Sequence, residues 1–84
     1  MRIEFFNRDH TKVSIRVRTG TTDSGMGLDR GRREVVDGGP NAVTFAWRRG
    51  DQRITNEEYD QHSTSPAEST TVVFGTPAGE VGEA

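Results

Sequence analysis

Two runs of strict two-residue alternation limit what this chain can fold into. In residues 12–19, Val13, Ile15, Val17 and Thr19 alternate with Lys12, Ser14, Arg16 and Arg18. In residues 42–48, Val43, Phe45 and Trp47 alternate with Ala42, Thr44, Ala46 and Arg48. A strand sends successive side chains to opposite faces, so each run reads as a strand with one buried and one solvated side. β-Branched and aromatic residues fill the apolar positions, as a pleated, half-buried surface favours. No stretch of helical length repeats its apolar residues at a period of 3.6.

The remaining segments are weaker but of the same kind. Residues 3–6 form an apolar run, ended by the turn-like Asn7-Arg8-Asp9-His10 and close enough to residues 12–19 to form a hairpin with them. Residues 20–27 are polar and glycine-rich and read as a loop. Residues 28–36 read as a strand with Leu28, Arg30 and Arg32 on one side and a bend at Gly31. Asp37-Gly38-Gly39-Pro40-Asn41 and Gly50-Asp51 are turn signals. Residues 52–55 suggest a short strand around Ile54. Residues 56–69 read as a long polar loop with one helical turn, in which Asn56 caps Glu57 and Glu58. The last strand covers residues 70–74, with Val72 and Phe74 facing inward. Five or six short strands at this spacing predict an all-β fold, a small antiparallel β-sandwich or open barrel. The predicted organisation is one domain over residues 1–75 and a Gly/Glu/Ala-rich tail over 76–84.

The core of such a domain is thin. The chain has 84 residues, only 30% of them apolar, and no cysteine, so neither a disulfide nor a thiolate metal site is available. The expected core is Val13, Ile15, Val17, Val43, Phe45, Trp47, Val72 and Phe74. A small core without staples gains from further burial against another chain, so a homo-oligomer or a protein partner is expected. No run reaches the roughly 20 apolar residues of a membrane-spanning helix, and no apolar signal segment follows Met1. The expected location is cytoplasmic.

Charge is divided along the chain. Residues 1–53 hold all eleven basic residues, ten of them Arg, against seven acids, a net of +4. Residues 54–84 hold six acids and no Lys or Arg, a net of −6. Parity puts Arg16, Arg18 and Arg48 on the outward faces of their strands, with Arg49 beside them and Lys12 and Arg2 as further members of a basic stripe. Small β-barrels bind single-stranded nucleic acid with such a stripe plus aromatic stacking platforms. Here the aromatic residues fall on the opposite face. The preferred partners of the stripe are therefore Glu57, Glu58 and Asp60, from the same chain or a neighbouring one.

Other motifs reduce to plainer readings. Asp60, His62 and Ser63 are too close in sequence to converge as a catalytic triad. Asp23, Asp29, Asp37 and Asp51 could gather as a calcium site, but Asp is also the commonest turn former. Gly25-Met26-Gly27 and Gly31 precede no helix that would make them a phosphate cradle. Arg49-Gly50-Asp51 matches the integrin-ligand tripeptide and reads as a turn closing the strand of Trp47. No metal and no cofactor is expected. The expected function is a non-catalytic binding or self-assembly module, acting through a sheet face, edge or loops. The alternative is a small nucleic-acid-binding β-barrel using the Arg stripe.

Overall fold

The computed structural model describes residues 1–66, 70–75 and 82–83. Among these, strands β1 (Arg2–Asn7), β2 (Val13–Thr19), β3 (Thr22–Leu28), β4 (Arg33–Asp37) and β5 (Val43–Arg49) come first. Helix α1 (Asn56–His62) follows, then β6 (Thr71–Phe74) and the two-residue β7 (Gly82–Glu83). One sheet has the order β4-β1-β6-β7 and the other β3-β2-β5. Their inner faces meet as a small all-β sandwich. Ile3, Phe5, Val72 and Phe74 come from one sheet; Val13, Ile15, Val17, Leu28, Val43 and Phe45 come from the other. The rings of Phe5 and Phe45 meet edge to face across the sandwich, 5.0 Å between centroids. Trp47 lies 4.9 Å from Phe74. Aromatic pairs in this range add attraction beyond the area they bury. The expected core is thus assembled, with Trp47 partly rather than fully buried.

Several local expectations are corrected. Residues 20–27 are not a loop. Only Gly20-Thr21 turns, with Gly20 at φ 58°, and Thr22 onward returns beside β2 as β3. Residues 28–36 split: Arg32 donates its N–H to Asp29 O in a turn, and the strand begins only at Arg33. Gly31 takes φ 79° in that turn. β1 and β2 do not form a hairpin, since they lie in different sheets. β1 pairs antiparallel with β4 and parallel with β6, so the sandwich is not purely antiparallel. Ile54 is buried against Ala46 and Tyr59 but lies in irregular backbone. Thr55, not Asn56, caps the helix, its hydroxyl accepting from the N–H of Glu58. The predicted tail, 76–84, lies outside the described residues except for Gly82 and Glu83, which pair with Val73 and Val72. Among the described residues no helix is long and apolar enough to cross a membrane.

Candidate functional site

The outer face of the β3-β2-β5 sheet gathers most of the residues singled out above. β2 and β5 are antiparallel neighbours with Ser14 opposite Arg48, Arg16 opposite Ala46 and Arg18 opposite Thr44. Parity and register therefore bring Arg16, Arg18 and Arg48 onto one face. That face is not an open basic stripe. Helix α1 lies on it and sinks the Tyr59 ring against Ala46 and Ile54. The Tyr59 hydroxyl shares a hydrogen bond with Thr44 Oγ1. The Arg18 guanidinium lies 4.3 Å from the ring centroid and that of Arg16 5.4 Å.

Each guanidinium also has a carboxylate. Asp23, on β3, receives Arg16 through both oxygens, at 3.0 and 2.8 Å, and Arg18 Nε at 3.0 Å. Two guanidinium groups, Arg16 first and Arg18 second, hold the Asp23 carboxyl down at about 2. Asp23 in turn raises the Arg16 pKa. Arg48 bonds Glu58 at 2.9 Å. The acidic half of the chain thus meets the basic half within one molecule, through Glu58. Glu57 instead accepts a bond from Gln61, and Asp60 is exposed. Arg49 has the opposite parity to Arg48. It pairs with Asp9 and lies 5.2 Å from the Trp47 ring centroid. Arg2 belongs to the other sheet. Asp23 is a strand residue rather than a turn residue, and among the described residues no three His, Asp or Glu side chains gather to hold a metal ion.

Beside α1 the same face opens into a groove of about 750 Å³ over β2 and β3. On this face Ser14, Gly25 and Gly27 line it beside Arg16 and Asp23, and Lys12 and Arg53 stand at it together with Asp51. Neither Lys12 nor Arg53 has an ion pair among the described residues.

The groove borders the edge of β3. The outer strands β5, β4 and β3 are finished differently. The outer edge of β5 is covered where Phe45 and Thr64 exchange N–H to O bonds of 2.9 and 2.8 Å. β4 is five residues long and carries Arg33, Glu34 and Asp37, charges that discourage strand addition. β3 is seven residues long, Thr-Asp-Ser-Gly-Met-Gly-Leu, and no described element lies along its outer side. Its one charge, Asp23, is already engaged by Arg16 and Arg18, and no Pro interrupts it.

The direction of its free backbone groups follows from the registers. Phe45 spends its N–H and C=O on Thr64, so the β5 residues that bond β2 are 44, 46 and 48, opposite Arg18, Arg16 and Ser14. The alternate residues of β2 (Val13, Ile15, Val17 and Thr19) then bond β3, at Leu28, Met26, Ser24 and Thr22. A two-residue hairpin loop closed by a bonded Thr19–Thr22 pair agrees with this. Asp23, Gly25 and Gly27 are left with their N–H and C=O pointing away from the sheet.

Sequence reasoning missed this edge because glycines at 25 and 27 remove the alternation by which a strand is recognised. The available signal was the short Gly20-Thr21 turn directly after the strongest strand. No family model, curated protein or solved structure matches the chain.

Proposed function

We propose that this chain is a non-catalytic interaction module that works by strand addition at the open edge of β3. The observation that carries the reading is the row of outward N–H and C=O groups at Asp23, Gly25 and Gly27, beside the groove over β2 and β3. An unpaired edge of this length accepts an extended segment through main-chain hydrogen bonds, and the bordering groove accommodates its side chains. The alternative, single-stranded nucleic acid on Arg16, Arg18 and Arg48, has less support. All three are already paired with carboxylates, and α1 occupies their face.

Gly25→Pro tests the reading. The proline removes an outward N–H that the fold does not use, so the β2–β3 ladder is kept while the edge is blocked. Circular dichroism should report an unchanged fold. Association with a second strand, read by light scattering for self-association or by titration with a synthetic peptide copying residues 22–28, should be lost. Association that survives Gly25→Pro overturns the edge reading. Binding of a single-stranded oligonucleotide that survives this change and weakens steeply with salt promotes the alternative instead.

A further inference from the structure

Resting on that edge reading, we infer that the strand β3 receives is a second copy of β3. The two would be antiparallel about a twofold axis through Gly25, giving one continuous six-stranded sheet. The register is argued from three features of β3.

The first is hydrogen-bond parity. Only Asp23, Gly25 and Gly27 present outward backbone groups. A twofold at Gly25 sets Gly25 opposite its own copy and Asp23 opposite Gly27, so all the outward groups meet as bonded pairs. Centring the twofold on Ser24 or Met26 keeps two bonded pairs instead of three. Centring it on Asp23 or Gly27 leaves fewer pairs in register.

The second is charge. Lys12 lies across Gly27: a Cβ built at Gly27 would sit 2.4 Å from Lys12 Cε and 3.1 Å from Nζ. Lys12 has no carboxylate partner among the described residues. Asp23 and Gly27 have the same parity and lie on the same outer face. With Asp23 of one copy opposite Gly27 of the other, the Lys12 ammonium is brought beside the second copy's Asp23, as a further cation on the carboxylate that Arg16 and Arg18 share. The twofold makes this contact twice. Cross-strand pairs of opposite charge favour the register that creates them.

The third is steric. The residue at the axis is a glycine, and the nearest atom to a Cβ built there is Ile15 O at 3.9 Å. The outer face is bare where the two copies come closest.

Sedimentation equilibrium on the intact chain, with two variants, and disulfide cross-linking of two more test the pairing. The wild-type chain should show a concentration-dependent monomer–dimer equilibrium that Gly25→Pro abolishes. Lys12→Glu sets a carboxylate against Asp23 and should weaken the dimer about tenfold, an effect that shrinks with added salt. Lys12 has no folding partner, so the monomer should be unchanged. The chain contains no cysteine, so a single introduced thiol reports the register. Opposed bonded residues have Cα atoms roughly 5.5 Å apart, within the span of a disulfide. Gly25→Cys should therefore oxidise to a covalent dimer far faster than Gly27→Cys, whose two copies would sit four residues out of register. A wild-type chain that stays monomeric at high micromolar concentration overturns the second copy as the occupant and leaves the edge itself to the peptide titration. A dimer that persists in Gly25→Pro overturns both. A dimer lost in Gly25→Pro but cross-linked faster through Gly27→Cys overturns the register and the Lys12–Asp23 pairing.

Discussion

Asn7 is the most deeply buried polar residue among the described residues. It is fully buried at the end of β1, where Nδ2 donates to Leu28 O at 2.7 Å and to Thr11 O at 3.0 Å. Its Oδ1 accepts from the N–H of Asp9 at 2.8 Å. One side chain thus fixes the chain leaving β1, the entry to β2 and the end of β3. Asn7→Asp keeps the shape but turns an oxygen toward two carbonyls. It should cost about 3 kcal/mol, read from urea denaturation at neutral pH. Gly75 is a second position where a single atom matters. Its φ is 81°, and a Cβ there would lie 2.4 Å from Asp9 N and 2.5 Å from Asp9 Cα. Because the obstacle is backbone, it cannot swing aside. Gly75→Ala should cost about 2 kcal/mol or more by the same measurement. Equal midpoints for Gly75→Ala and wild type would show that the backbone at Gly75 and Asp9 relaxes freely.

At the scale of single elements, α1 is the clearest dependant of tertiary structure. Seven residues are too few for an isolated helix to persist in water. It is held by the Thr55 cap, the Arg48–Glu58 pair and above all the buried Tyr59 ring between two guanidinium groups and Ala46. Tyr59→Ala should destabilise the chain by about 3 kcal/mol. It should also strip hydrogen-exchange protection from residues 56–62 while the β2 and β5 amides keep theirs. Loss of protection across both sheets together would mean that helix and sheet unfold as one unit. The same physics explains what was readable beforehand. β2, β5 and β6 are visible because β-branched and aromatic residues alternate in them, and their inner faces are the core. The face shared by Arg16, Arg18 and Arg48 follows from that alternation. β3 is not visible, because it is an edge strand whose form is imposed by its hairpin with β2. Neither its face nor its edge needs an apolar residue at Gly25 or Gly27. α1 is shorter than the window over which a helical period can be seen, and its anchor is a single aromatic residue.

Across the whole molecule, sequence pattern could not assign strands to sheets. Alternation says which side of a strand is buried and nothing about its neighbour, so the parallel pairing of β1 with β6, some seventy residues apart, had no local signal. The split of charge was legible as a count, but among the described residues only Arg48–Glu58 joins its two parts, and the other closures lie within the basic part. Arg48 meets Glu58, Arg49 meets Asp9, and Arg16 and Arg18 share Asp23. This closure implies a particular response to acid. Asp23 is held at about 2 by Arg16 and Arg18, and Asp9 is lowered chiefly by its bond from Arg49. Both folded values lie below the roughly 3.9 of an unfolded Asp. A depressed carboxyl contributes stability that is fully present above the unfolded value. Between neutral pH and about 4 these two groups should therefore add no slope. Below about 4 the unfolded chain binds protons that folded Asp23 does not, and stability should fall until the pH passes about 2. Asp23→Asn removes one of the two groups. Its urea midpoint should be lower than that of the wild-type chain at pH 7, and its decline between about pH 4 and pH 2 shallower. Measured at low protein concentration, where strand pairing between copies does not contribute, the two curves should converge as the pH falls. Parallel curves would show that the two guanidinium groups do not hold Asp23 ionised in the folded chain.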